Sequence, residues 1–216
     1  VAEYERRFQR RVTSALNDTP RVIDIGRGES YGEDQLRSYD ISPPTDVDGI
    51  TLDVRPATDP TFVGDLANLP LASESVGVAF CESVLEHVDP ISNVTDCVDE
   101  MHRVLVDGGL VVGWVPYCYH FHGWADFPDG TRFTHDGVDR LLSNFDDITI
   151  QPCGGPVSVL LDSLRSVGYA IRRRGVERIE TKLRYLLFAG PLAFDGDPEA
   201  HKWELNSVGF RFFARK

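Results

Sequence analysis

Arg21-Val22-Ile23-Asp24-Ile25-Gly26-Arg27-Gly28 is a short β-branched run that enters two glycines one residue apart. Such a run reads as a buried parallel strand feeding a tight turn. Glycines there let a ligand approach the backbone without Cβ clashes, and the following helix start offers free N–H groups. Taken alone, the same pattern is equally a plain tight turn. Its meaning depends on what surrounds it.

Ahead of it, residues 3–16 predict an amphipathic helix with Tyr4, Phe8, Val12 and Leu16 or Ala15 on one face, ended by Asn17-Asp18-Thr19-Pro20. Behind it, a polar, Pro-rich stretch at 38–48 precedes a second strand, Gly49-Ile50-Thr51-Leu52-Asp53-Val54, and a third, Thr61–Asp65. Val76–Phe80 is a fourth strand. Residues 90–105 form a helix on the spacing of Val94, Cys97, Val98, Met101, Val104 and Leu105, terminated by Asp107-Gly108-Gly109. Leu110–Val115 is a fifth strand. An aromatic, His-rich irregular segment fills 117–135; a helix over 136–144, a strand at 148–150, a helical stretch over 157–190 and a closing strand over 207–214 complete the chain. Strands alternating with helices, a helix before each new strand, predict a doubly wound α/β fold. It is a mostly parallel, Rossmann-like seven-stranded sheet with helices on both faces and an antiparallel last strand. With 216 residues and no linker, one domain over 1–216 is expected, comprising an N-terminal helix at 1–19, a core at 20–150 and a C-terminal segment at 151–216.

The ordered chemistry along these strands is more specific than any piece of it. Asp53 ends the second strand, where an acid accepts hydrogen bonds from both hydroxyls of a ribose. Gly64-Asp65-Leu66 ends the third, Cys81-Glu82-Ser83-Val84-Leu85-Glu86-His87-Val88 follows the fourth, and Arg103-Val104-Leu105-Val106-Asp107-Gly108-Gly109 precedes the fifth. This series, over about residues 20–150, resembles the class I S-adenosylmethionine-dependent methyltransferases, in the small-molecule group with a "LEHV" segment and an "RVL-x-x-GG" turn. The resemblance implies S-adenosyl-L-methionine as cofactor. It assigns Asp24, Gly26 and Gly28 to the loop around the methionine moiety and Asp53 to the ribose. It assigns Asp65 to the adenine amino group, Leu66 to the ring face, and Cys81, Glu82 and Ser83 to the pocket wall after the fourth strand. Departures are Glu29-Ser30 where a third glycine is usual, Arg27 between the glycines, and an insertion at 30–48.

A second constellation is His120-x-His122 followed by Pro128-Asp129-Gly130-Thr131-Arg132-Phe133-Thr134, similar to a segment of the same group just after the fifth strand. Ligands bind at the carboxyl ends of strands in such a sheet, so this loop is expected over the methyl donor. His122, with His120 beside it, is the candidate general base, since imidazole titrates near neutrality. Tyr117, Tyr119, Phe121 and Trp124 are candidates to line the acceptor pocket. Arg132 either holds an acidic substrate group or pairs with Asp129 to shape the loop. HxH invites a metal, but no third ligand stands at useful spacing, so none is assigned. Glu86-His87 is near the pocket by the resemblance, and helix-start packing explains it as well.

Composition bounds the remaining classes. Lys+Arg is 22 and Asp+Glu 34, a formal charge of −12, which repels phosphate and argues against nucleic acid and anionic lipid. No N/D-P-P-Y/F segment follows the fourth strand, so nucleic-acid methylation is disfavoured; a small-molecule acceptor is expected. Asp (22) outnumbers Glu (12) and Arg (19) outnumbers Lys (3), as in salt-loving archaea, although a high-GC genome also favours Arg. Cys81, Cys97, Cys118 and Cys153 form no CxxC and read as buried thiols of a reducing cytoplasm. No apolar run approaches the roughly 20 residues of a membrane span, and the N-terminus lacks a signal-peptide core. Arg172-Arg173-Arg174 reads as a solvated helix face, and the apolar stretch 183–192 as core or a homodimer contact. Two alternatives stay open. An NAD-dependent oxidoreductase needs a glycine where Tyr31 stands. A non-catalytic scaffold of the same fold has Arg27 and Ser30 in its favour.

Overall fold

The computed structural model describes residues 2–26, 36–37, 39–42, 44, 46–89, 91, 93–123, 127–172 and 207–216, with backbone only at 2 and 165–172. Its elements are α1 (Ala2–Asp18), β1 (Arg21–Ile25), β2 (Asp48–Asp53), β3 (Phe62–Val63), β4 (Val76–Glu82), α2 (Asn93–Val104), β5 (Leu105–Pro116), α3 (His135–Leu141), β6 (Asp146–Cys153), α4 (Pro156–Arg172) and β7 (Gly209–Arg215). They form one seven-stranded sheet in the order β3-β2-β1-β4-β5-β7-β6. The first five strands in that order run parallel; β7 is antiparallel to both β5 and β6. The expected doubly wound sheet with an antiparallel last strand is therefore present.

The chain starts in the middle of the sheet, steps outward through β2 and β3, then returns to the other side of β1 with β4 and β5. The strand order thus reverses between β1 and β4, and the crevice at their carboxyl ends is where an open α/β sheet receives ligands. Ile25 is level with Leu52 on one side and Cys81 on the other, so β1, β2 and β4 end together.

Each face of the sheet has its own core. On one, Tyr4, Phe8, Val12 and Leu16 of α1 pack with Leu36, Tyr39 and Ile41 on Val22, Val78, Phe80, Val112 and Phe213. These are the α1 positions that the 3.6-residue periodicity selects. On the other, Val94, Cys97, Val98, Met101 and Val104 of α2 join Ile23, Ile25, Ala79, Cys81 and Val111. Gly77 lets the end of α1 close on β4, since a Cβ there would stand 2.2 Å from the Thr19 carbonyl oxygen.

Two local expectations are corrected. The β2–β3 and β3–β4 connections carry single 3₁₀ turns, Pro56–Thr58 and Leu66–Asn68, rather than helices. Asp107-Gly108-Gly109 does not end a helix. Helix α2 stops at Val104, and β5 begins at Leu105 and runs through the glycines. Gly108 adopts φ +82°, and its amide donates to the carbonyl of Lys216, whose own amide donates to Gly109. The glycines accommodate pairing with the chain's last residue. The apolar stretch 183–192 and most of the Arg172–Arg174 run lie outside the described residues.

Candidate active site at the carboxyl ends of the strands

Gly26 follows β1 directly. Its φ is +71°, its amide donates to the Leu52 carbonyl at 2.7 Å, and a Cβ would stand 2.5 Å from Val84 Cγ2. A left-handed backbone and a close neighbour both demand glycine. Asp24, buried within β1, lies level with Thr51 and Phe80. Gly28, the other glycine of the expected cofactor loop, lies outside the described residues, as do Arg27 and Ser30.

Asp53 ends β2, buried at 3% exposure. Its Oδ1 accepts from the Arg55 amide at 2.9 Å and from Arg55 Nε at 3.1 Å, and Oδ2 accepts from Nη2 at 2.9 Å. Burial would raise its pKa, but the Arg55 bonds win and hold the carboxyl below the usual range. Arg55 also stands 5.3 Å from the Phe127 ring centre. Asp65 caps the turn after β3, accepting from the Ala67 amide at 2.9 Å, and is itself exposed. Leu66 points into the core at 4% exposure.

The end of β4 divides by strand alternation. Cys81 is fully buried in the α2-side core, where burial, then Cys97 beside it, pushes its thiol pKa well up. It is therefore core rather than pocket wall. Glu82, on the opposite face, accepts a hydrogen bond from the Tyr39 hydroxyl. Ser83 is exposed, takes φ +54°, and donates its amide to the Trp114 carbonyl at 3.0 Å.

The 3₁₀ turn Leu85–His87 then meets the loop after β5. The Gly130 amide donates to the Glu86 carbonyl at 2.9 Å, and His87 Nδ1 bonds the Pro128 carbonyl. His87 lies 3.9 Å, centre to centre, from Phe127 and 4.9 Å, edge-on, from His122. His122 Nδ1 faces Asp129 Oδ2 at 3.1 Å, its amide donates to the same oxygen at 2.9 Å, and its Nε2 lies 3.5 Å from Glu86 Oε1. Glu86 is wholly buried, and neither of its side-chain oxygens makes a hydrogen bond among the described residues. Burial raises its carboxyl to about 7, against the opposing pull of His122.

Arg132 is bound entirely within the protein. Both of its terminal nitrogens bond the Asp129 carboxylate; Nη1 also reaches the Thr131 carbonyl at 2.8 Å, Nη2 the His120 carbonyl at 3.2 Å and Nε the Tyr119 carbonyl at 3.3 Å. A guanidinium has five N–H donors. All five are engaged, so Arg132 shapes the loop and has none left for an acidic substrate. Burial would raise Asp129, but the Arg132 bonds and the His122 amide hold it at about 2.

His120 is tied in the opposite direction. Its Nδ1 lies 2.8 and 2.9 Å from the two oxygens of Asp162, and its amide donates to Asp162 Oδ2 at 2.9 Å. Asp162 is buried on α4, so this clasp joins the loop to the C-terminal helix. Tyr119 packs between Trp114, His120 and His122, with ring centres 5.7, 4.4 and 5.3 Å away. Tyr117 packs on Phe210 at 5.6 Å. Trp124 lies outside the described residues. Asp162 and Arg55 are the partners that sequence reasoning missed. Arg55 carried a local signal, two residues beyond an acid at a strand end; Asp162 carried none.

Residues 25–113 match the family model described as a methyltransferase domain, a span from the end of β1 through most of β5. No curated protein sequence matches the chain. Solved structures share the fold. A SAM-dependent methyltransferase from Archaeoglobus fulgidus aligns with TM-score 0.55 at 12% identity, over 100% of this chain and 94% of that one. A possible histamine N-methyltransferase from Thermotoga maritima aligns with TM-score 0.50 at 16% identity, over 100% and 96%. Phosphoethanolamine N-methyltransferase 2 of Haemonchus contortus, in complex with S-adenosyl-L-methionine, aligns with TM-score 0.51 at 14% identity, over 96% of this chain. The present chain spans about half of that protein, covering 52% of it.

Proposed function

We propose that this chain, which carries a methyltransferase domain and the fold of the S-adenosylmethionine-dependent methyltransferases, transfers a methyl group from S-adenosyl-L-methionine to a small-molecule acceptor. The observation that carries the reading is the alignment of Gly26, Asp53 and the Leu85–His87 turn on three adjacent strand ends, inside the matched span. Asp53 faces the ribose; Asp65, with an oxygen not used in capping, faces the adenine amino group. Gly26 keeps the backbone open beside the methionine moiety.

Methyl transfer from a sulfonium is an in-line displacement. The acceptor atom forms a bond to the methyl carbon, the carbon–sulfur bond breaks, and its electron pair stays on sulfur as a neutral thioether. Because the leaving group is neutral, the protein contributes mainly alignment and exclusion of water, and alignment is worth roughly 7–11 kcal/mol. A proton acceptor is needed only for a hydroxyl or carbon acid. His120 and His122 each turn Nδ1 toward a carboxylate, Asp162 and Asp129, which leaves Nε2 as the working nitrogen of each ring. Tyr117 and Tyr119 flank this loop as the acceptor side.

Calorimetric titration with S-adenosylmethionine, S-adenosylhomocysteine and NAD, at low and molar salt, tests the reading. Micromolar binding of both adenosyl compounds, lost in Asp53→Ala, is expected. Folded protein that binds neither in either salt overturns the cofactor assignment and favours a non-catalytic member of the fold.

A further inference from the structure

We propose that Glu86, His87 and His122 bind one divalent transition-metal ion, with a remaining coordination position for an oxygen atom of the acceptor. The binding of the ion rests on geometry alone; its service to the acceptor rests on the methyl-transfer reading above.

One ligand atom of each residue lies within 4.8 Å of the others. Glu86 Oε1 stands 3.5 Å from His122 Nε2 and 3.8 Å from His87 Nε2. Donor atoms around a tetrahedral ion with bonds of about 2.0–2.1 Å are about 3.3 Å apart, so the two edges from Glu86 need to shorten by only a few tenths of an ångström, and the two imidazole nitrogens start within 4.8 Å of each other.

The tautomers are set for this. His87 Nδ1 is committed to the Pro128 carbonyl and His122 Nδ1 to the His120 carbonyl at 3.3 Å, with Asp129 Oδ2 3.1 Å away, so both rings donate from Nδ1 and carry their lone pairs on Nε2. A carboxylate or carbonyl behind a histidine is how proteins orient imidazole toward a metal. Asp129 is itself fixed by Arg132, so the supporting shell is rigid.

The second, independent observation is Glu86. Its side chain is fully buried and aimed between the two histidines, with no hydrogen bond to either oxygen among the described residues. A buried carboxylate in that condition is costly, and a cation at this point supplies the missing partner. Both terminal nitrogens of Arg132 are committed to Asp129, and neither bonds Glu86.

Two imidazoles and one carboxylate select a borderline ion such as Zn²⁺, Co²⁺, Fe²⁺ or Mn²⁺ over Ca²⁺ or Mg²⁺, which prefer all-oxygen shells. Three protein ligands with an open position is the arrangement of a working site, not a structural one. An acceptor hydroxyl coordinated there releases its proton to water, and its oxygen attacks the methyl carbon as the carbon–sulfur bond breaks. His120 stands outside the cluster of Glu86, His87 and His122, its ring held toward α4 by Asp162. The HxH pair therefore divides, and His122 finds its partners after β4.

The full chain, stripped with chelator, is titrated with Co²⁺ while visible absorption is followed, and with Zn²⁺ in equilibrium dialysis. One equivalent per chain and ligand-field bands are expected. Glu86→Gln and His122→Ala should each weaken binding tenfold or more, Asp129→Asn should weaken it 10–100-fold, and His102→Ala on α2 should leave it unchanged. Glu86→Gln is isosteric and keeps the test valid should His122→Ala fail to fold. No stoichiometric binding to folded protein, or binding that Glu86→Gln and His122→Ala both leave intact, overturns the site. S-adenosylmethionine titration of the same samples separates the two claims. Cofactor binding without metal binding overturns only the metal site, and metal binding without cofactor binding overturns only the methyl-transfer reading.

Discussion

Arg55 grips Asp53 with its amide, its Nε and its Nη2, occupying both oxygens of the acid that ends β2. A carboxylate has about four lone-pair sites and Arg55 uses three, so one site, on Oδ2, remains for a ribose hydroxyl. Arg55 therefore holds the acid ionised and oriented before any ligand arrives. Asp53→Ala should abolish S-adenosylmethionine binding, whereas Arg55→Lys should weaken it while leaving it measurable by calorimetry.

The same pair predicts a pH dependence. The folded-state pKa of Asp53 is depressed, so its pairing adds stability above the unfolded value, near 3.9, and that stability is lost as pH falls through the folded value. Urea unfolding of wild type and Arg55→Ala should differ most near neutrality and converge at acid pH. A difference that grows on acidification contradicts this.

Gly26→Ala forces a left-handed φ on alanine and drives its Cβ into Val84. A loss of about 1–3 kcal/mol in denaturant unfolding is expected. Adding Val84→Ala should recover only the steric part, because the backbone strain remains.

Arg103 fastens the segment after Asp65 to α2. It bonds the Leu69 and Leu71 carbonyls at 3.1 and 2.9 Å, and Glu100, which in turn accepts from the Leu69 amide at 2.8 Å. Arg103→Ala should cost about 1–3 kcal/mol in thermal unfolding and weaken adenosyl binding through the displaced Asp65 turn.

His120 and Asp162 should act as a unit. If His120 is the proton acceptor, His120→Ala and Asp162→Asn should each lower kcat by the same factor, about 10²–10⁴, with little further loss in the double variant. Steady-state kinetics with KM near unchanged is the expected signature; additive losses would show that the two side chains act independently.

Strand and helix identity was legible in the sequence because it is written in local periodicity. The β-branched run before Gly26, the α1 face of Tyr4, Phe8 and Val12, and the α2 face of Val94, Cys97 and Met101 all sit where their spacing predicts. Gly26 and Asp53 were legible for the same reason, since each belongs to the end of a recognisable strand. Asp107-Gly108-Gly109 was misread because glycines after a helix commonly end it, and only pairing with Lys216 shows that they serve a strand.

Apart from the local Asp129–Arg132 pair, the partnerships at the site were not legible, because they join segments that only the sheet order makes adjacent. Alternation along β4 decided that Cys81 enters the core while Glu82 meets Tyr39. Parallel pairing of β4 with β5 brought Glu86 and His87 to His122, and α4 brought Asp162 to His120. The sequence by itself determined the elements, the sheet class and the residues at the strand ends, since these follow from backbone propensity and burial within a few residues. Tertiary structure alone decided which charge faces which imidazole and which donors of Arg132 are already engaged, since those contacts depend on loops folding back across the ends of neighbouring strands.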